Sequence, residues 1–452
     1  MLPRCALPLL LFAACAAAAS EPPRTRSSVV HAGRVLDRPG HAPRGPSTIV
    51  VRDERIKAIR DGHLAPAALG LADVVAIDLR DRLVLPGLVD AHVHLASDYA
   101  GVAAQLASVS DSVADRAYEA AVNARKTLEA GFTTVRNLGD DDGVTLALRD
   151  AIAAGKVPGP RILDAGSGIS ATAGHTDDRL GFREELHEAI GHEQVCDGAD
   201  DCRRAVRTQV ARGVDVIKIA TTGGVNSRIG LGLGAQMFED EARALVETAH
   251  LYGKKVAVHA HGADGITLAL AAGADSIEHG TLMDDAAIAL FRKTGAYYVP
   301  TLSTINGYRE RLAANPEAYT PEVRAKIEWR IGITGKALER AVEHGVKIAF
   351  GTDAGVSLHG RNADEFELMV RHGMTPASAI AAATVGAADL VGLGGEIGTL
   401  APGRRADLVS APGDPLTDVS TLKHVDFVMK DGVVHARPLR SAEPVTVSGS
   451  GE

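Results

Sequence analysis

Apolar and polar positions change period along the chain, and each change marks a different kind of element. From Ser28 to Leu79 short apolar stretches alternate with turns: Ser47 to Arg52, a turn at Asp53-Glu54-Arg55, then Ile56 to Ile59, and later Val74 to Leu79. The same texture returns near the other terminus at Asp407-Leu408-Val409, Asp426 to Met429 and Val433-Val434-His435, the last two joined by a hairpin turn at Lys430-Asp431-Gly432. Neither segment carries enough apolar surface for a core of its own, so the two ends are expected to pair into one small β-sandwich.

Between them, strands alternate with helices. The apolar run Leu85-Pro86-Gly87-Leu88-Val89-Asp90-Ala91 leads into His92-Val93-His94. A helix follows with an apolar stripe at Ala117, Ala120, Ala121, Ala124 and Leu128, ended by Gly131, and then a strand at Phe132 to Asn137. Further strands are predicted at Arg161 to Ala165, Val214 to Ile219, Lys255 to His259, Ser276 to Glu278, Tyr297 to Pro300 and Lys347 to Gly351. Strands each followed by helical sequence predict an α/β fold, a (β/α)8 TIM-type barrel; an open doubly wound sheet would need a glycine-rich phosphate turn that this chain lacks. The expected organisation is a leader over 1–20, half of the β-sandwich over 21–84, the barrel over 85–395, the other half of the sandwich over 396–440 and a flexible tail over 441–452.

Composition adds the compartment. Arg4, the apolar stretch Leu7 to Phe12 and the small residues Ala13 to Ser20 read as a signal peptide, so an exported protein, periplasmic or secreted, is expected. Lipoprotein anchoring at Cys15 is the lesser alternative. Cys196 and Cys202 flank a short polar loop and read as a local disulfide in an oxidising compartment, with free thiols the alternative. A formal charge of -9 without a long basic run argues against nucleic acid as partner, and no stretch after the leader reaches membrane length. A small-molecule substrate and a homo-oligomeric assembly are expected.

The chemistry lies at strand ends. In an extended strand His92 and His94 point to one face and could grip a cation, although such a pair alone suits ordinary hydrogen-bonded histidines equally well. Lys218 in Val216-Ile217-Lys218-Ile219, His259 and His261 in Val258-His259-Ala260-His261, His279 in Glu278-His279-Gly280, and Asp353 in Gly351-Thr352-Asp353 occupy matching positions on other predicted strands. Polar groups delivered at one end of several parallel strands are the pattern of a barrel active site. A lysine inside a buried apolar strand carries a costly charge unless a carboxylate pairs with it or carbon dioxide converts it to a carbamate.

These segments resemble the amidohydrolase superfamily, as do Gly398-Thr399-Leu400-Ala401-Pro402-Gly403 and Ala406-Asp407-Leu408-Val409 near the C terminus. Thr221-Thr222-Gly223-Gly224-Val225, Ala173-Gly174-His175 and His359-Gly360-Arg361-Asn362 resemble its imidazolonepropionase-related branch, which includes Xaa-Pro dipeptidases, carboxypeptidases and ochratoxin-hydrolysing amidases. The resemblance implies two divalent metal ions, zinc by first choice. His92, His94 and Asp353 would bind one, His259 and His279 the other, with N6-carboxylated Lys218 between them. It further implies Asp353 as the proton carrier, His175 as the group facing the substrate carbonyl, and His261 behind the ligands. Ala173 stands where the family turn often has a glycine. Arg228 and His359, on loops after the fourth and eighth strands, are candidates for an anionic substrate group or else surface residues. The expected activity is hydrolysis of an amide or peptide bond that frees a C-terminal amino acid from a dipeptide, an N-acyl amino acid or an ochratoxin-type amide. A single-metal deaminase or cyclic-amide hydrolase is the alternative, and a non-catalytic binding protein a third reading.

Overall fold

The computed structural model describes residues 27–72, 74–98, 101–139, 143–190, 195–227 and 232–436. The leader with Cys5 and Cys15, the 441–452 tail and Arg228 lie outside them. Four strands open the fold: β1 (Ser27–Val35), β2 (Ser47–Arg52), β3 (Arg55–Asp61) and β4 (Val75–Pro86). Near the other end come β13 (Leu408–Ala411), β14 (Phe427–Lys430) and β15 (Val433–Ala436). They make one seven-stranded sheet in the order β15-β14-β13-β4-β1-β2-β3, where patterning predicts a sandwich. Strand β4 joins the two termini: it runs parallel to β1 and, through Leu83 to Pro86, antiparallel to β13. Val30, Ile49, Ile56, Leu79, Leu408 and Phe427 form the apolar core of this composite sheet.

The expected end of β4 at Leu79 is too early, because its last four residues, Leu83 to Pro86, pair with β13 and remain extended. The apolar run before His92 therefore serves two layers. Leu85 and Pro86 belong to the composite sheet, and β5 (Leu88–Val93) begins the next one after a break at Gly87. Only glycine fits that break, since a Cβ there would come within 2.2 Å of the Thr133 hydroxyl.

Between Gly87 and β13 the strands pair in parallel. One sheet holds β5, β6 (Phe132–Asn137) and β7 (Arg161–Asp164). The other runs β8 (Val216–Ala220), β9 (Lys255–Ala260), β10 (Ser276–His279), β11 (Tyr297–Val299) and β12 (Lys347–Ile348). Backbone bridges Ile169 to Ile219 and Val93 to Ala354 connect the two at both seams. Almost every residue of β5, β6, β8 and β9 is buried, as expected for parallel strands covered by helices on their outer side.

The helix Val113–Glu129 starts in a capping box between Ser112 and Asp115. Its buried face is rotated from the predicted alanine stripe: Ala117 is exposed, whereas Asn123 and Thr127 are buried. Polar partners explain the rotation. Asn123 Nδ2 donates to the Leu95 carbonyl at 3.2 Å, and the Thr127 hydroxyl lies 3.2 Å from His359 Nδ1. Cys196 and Cys202 are joined by a disulfide at a Cα separation of 4.9 Å.

Candidate active site

A cavity of about 920 Å³ opens at the C-terminal ends of the parallel strands, and His92, His94, His175, Lys218, His259, His261, His279 and Asp353 all line it. Its geometry begins with Asp90. The buried Asp90 carboxylate accepts from the Thr352 hydroxyl at 2.6 Å, Asn362 Nδ2 at 2.8 Å, and the backbone N–H groups of His92 and Thr352, both at 3.1 Å. That bracket locks β5 to the turn carrying Asp353. Burial pushes Asp90 up to about 6 against those four donors.

His92 Nδ1 donates to Glu278 Oε2 at 2.8 Å, which leaves Nε2 turned toward Asp353, 3.4 Å away. His94 Nε2 reaches the same Asp353 oxygen at 3.2 Å from the more exposed side. His279 Nδ1 lies 2.7 Å from the Thr301 hydroxyl, whose own proton goes to the Pro300 carbonyl, so Nδ1 is the donor and Nε2 is free for a ligand. His259 Nε2 faces the Gly223 carbonyl at 3.3 Å, leaving Nδ1 for the same use. Burial, aided by Lys218 and opposed by Asp353 and Glu278, lowers His92 to about 4; His259 and His279 are also pushed well down, chiefly by burial. Neutral imidazoles with one nitrogen fixed are the form that ligates metal.

Backbone conformation marks the same region. Ala173, His279, Thr301 and Asp353 have φ of 64°, 70°, 48° and 58°, in the left-handed region that costs non-glycine residues of order 1–3 kcal/mol. At Ala173 the turn keeps the conformation a glycine would adopt freely. Beyond it His175 stacks on His259 with ring centroids 3.8 Å apart, and its Nδ1 is 2.6 Å from the Ser227 hydroxyl. Gly224 makes room for this ring, since a Cβ there would fall 2.3 Å from it.

Lys218 is 4% exposed, and burial lowers its amine to about 8 although Glu278 and Asp353 pull upward. No carboxylate of the described residues forms an ion pair with it. Arg136 and Glu278 are structural partners that motif reading missed. Arg136 donates to the Ala91 carbonyl at 2.6 Å, the Ser276 hydroxyl at 3.1 Å and Glu278 Oε1 at 2.8 Å. Burial alone would raise Glu278, but Arg136 and His92 hold it at about 2. The signal was present in the sequence, because Arg136 is a charge inside an apolar strand just as Lys218 is.

Two expectations change. His359 does not present its ring to the cavity: Nδ1 lies at the Thr127 hydroxyl and Nε2 is 3.0 Å from the His94 carbonyl. Both nitrogens are engaged and the side chain is fully buried, so His359 supports the His94 backbone and is corrected from a substrate contact to a prop. His261, placed behind the ligands by resemblance, instead shares one donor group with His259 and His279, while His92, His279 and Asp353 form a second; in each, the potential ligand atoms lie within 4.8 Å of one another.

The amidohydrolase family model matches residues 83–434, from the last residues of β4 into β15, and includes every residue of this cavity. The chain belongs to the amidohydrolase family. It is 33% identical over 383 residues to ochratoxinase from Aspergillus niger, covering 79% of this chain and 77% of that protein. Among solved structures it is similar to a Xaa-Pro dipeptidase with methionine bound in the active site, at 39% identity and TM-score 0.84, covering 91% of this chain and all of that one. It is also similar to a prolidase complexed with N-methylphosphonate-L-proline, at 31% identity and TM-score 0.81, over 91% of this chain and 100% of the other. The protein is accordingly a hydrolase of C–N bonds. Family members use divalent metals, and the nitrogen and carboxylate donors gathered here fit that use. Among the described residues no helix is long and apolar enough to cross a membrane.

Proposed function

We propose that the protein is an exported binuclear amidohydrolase that cleaves an amide bond and frees a C-terminal amino acid. The observation that carries this reading is the convergence on one cavity of His92, His94, His259, His279, Asp353 and a Lys218 that has no ion-pair partner among the described residues. We read the eight parallel strands around it as one closed barrel, a reading supported by the bridges at both seams. His92, His94 and Asp353 would hold one divalent ion and His259 with His279 the other, with Lys218 carboxylated between them. When bound, such ions polarise the scissile carbonyl and bring the pKa of water near neutrality.

The remaining work falls to side chains. Asp353, kept ionised by His92, His94 and Lys218 against its burial, is placed to take the proton of the attacking water and pass it to the leaving nitrogen. His175, clamped through Nδ1 by Ser227, has an Nε2 without a hydrogen-bond partner among the described residues and can meet the substrate carbonyl oxygen. The test is a screen of purified protein, supplied with zinc, manganese or cobalt, against dipeptides and N-acyl amino acids. Release of a free amino acid with two ions per chain is expected. Ammonia release or ring opening with one ion per chain would favour a deaminase or cyclic-amide hydrolase, a second reading that the His259, His261 and His279 group would suit.

A further inference from the structure

Arg330 projects from the helix Pro321–Ile333 into the cavity lining beside His261, Tyr308 and Asp353, and it is only 4% exposed. A guanidinium cannot shed its proton, so burying one without a counter-ion is strongly unfavourable. Among the described residues its side chain makes one hydrogen bond, from Nη1 to the Thr334 hydroxyl at 3.2 Å, and no carboxylate forms an ion pair with it. Glu365 and Asp353 are its acidic neighbours. Both are otherwise engaged: the Glu365 oxygens accept from the Leu302 and Ser303 N–H groups at 2.9 and 2.6 Å, and Asp353 is held by His94. Lys326, on the same helix, is occupied by the Gly224 and Ser227 carbonyls. Tyr308 is equally buried and lines the cavity with Arg330, and its hydroxyl has no hydrogen-bond partner among the described residues.

We infer that Arg330, together with the Tyr308 hydroxyl, holds the carboxylate of the amino acid that is released. The inference rests on the proposed function and names a specificity-determining pair for it. A planar fork of donors matches a carboxylate and offers nothing to a C-terminal amide nitrogen, so substrates are free acids: dipeptides or N-acyl α-amino acids with an unblocked C terminus. It also replaces His359, whose ring is committed elsewhere, in the anion-binding role.

The experiment compares N-benzoylglycyl-L-phenylalanine with its C-terminal carboxamide, using zinc-loaded wild type, Arg330→Gln, Arg330→Lys and Tyr308→Phe. Wild type is expected to favour the acid about a hundredfold in kcat/KM, the scale of a charge-assisted contact. Arg330→Gln should bring that ratio to within about threefold, Arg330→Lys should restore part of it, and Tyr308→Phe should lower it about tenfold. Calorimetric titration with L-phenylalanine supplies a readout independent of turnover, with weakened binding expected in both Arg330→Gln and Tyr308→Phe. If Arg330→Gln does not fold, the Tyr308→Phe ratio and titration decide. A wild-type preference for the acid that survives in the variants would overturn the role of Arg330 and leave the proposed function standing. Equal wild-type rates on acid and amide would overturn the carboxylate-holding role of the pair and leave the proposed amide hydrolysis standing. If wild type hydrolyses neither compound, that substrate reading fails, and the titration alone settles whether Arg330 binds a carboxylate.

Discussion

Arg136 in β6 uses all three of its guanidinium nitrogens, on the Ala91 carbonyl, the Ser276 hydroxyl and Glu278, while Lys218 and Arg330, nearly as buried, have no ion-pair partner among the described residues. The junction between the composite sheet and the parallel strands behaves like Arg136: Arg161 pairs with Asp407 at 2.9 Å and Asp431 at 2.7 Å. Positive-φ non-glycine residues divide in a similar way. Asp53 and Asp431 lie in exposed or half-buried turns, whereas His279, Thr301 and Asp353 lie at buried strand ends around the cavity. Where the fold needs only itself, buried charge is neutralised within the chain. Around the cavity, charge and strain are left to be completed by what binds there.

The comparison breaks most sharply at Lys218. Lys218→Met should lower kcat by about a thousandfold or more, because it would remove the proposed anionic bridge between two ions, and metal per chain should fall below two. It should not lower the melting temperature of metal-stripped protein, since the lost cation has no ion-pair partner among the described residues. Elemental analysis and calorimetric melting check both halves. Arg136→Met should do the reverse in stability, leaving the buried Glu278 charge with the hydrogen bonds of His92 and Ser276 but no guanidinium, and lowering the free energy of unfolding by about 3–5 kcal/mol in denaturant titration.

Glu365 offers a pH test of the same contrast. Burial raises it to about 7 although two backbone N–H groups favour its anion. Its folded pKa lies above the ordinary glutamate value, so its stabilising contribution is full below about pH 4.5 and is lost as pH rises toward 7, a change of about 3 kcal/mol. Glu365→Gln should flatten that slope of unfolding free energy against pH; an unchanged slope would show that another group titrates there. The smallest effect is expected at Ala173. Ala173→Gly relieves a left-handed alanine but loosens the unfolded chain, for a net gain of about 1 kcal/mol or less in denaturant titration.

Strand positions were legible because parallel strands read as apolar runs, and β6 falls at Phe132–Asn137 as its pattern predicts. His92, His94, Lys218, His259, His279 and Asp353 were legible because each stands out at the end of such a run. Groups defined by long-range partners were not. His359 looked like a loop histidine because Thr127 and the His94 carbonyl, which hold its ring, are 232 and 265 residues away in sequence. Arg330 and Tyr308 sit on helices whose sequences have little amphipathic pattern, and nothing local distinguishes a surface arginine from one turned into a cavity. The length of β4 was hidden for a related reason, since its last residues are kept extended by β13, more than three hundred residues later.

The central claim is that the cavity is completed by what binds there, two metal ions and carbon dioxide on Lys218, and anomalous diffraction from crystals of zinc-loaded protein grown with bicarbonate tests it most directly. Two anomalous peaks are predicted, one among His92, His94 and Asp353 and one at His259 and His279, with added density on Lys218 Nζ reaching both. A single peak with an unmodified lysine amine would contradict the account.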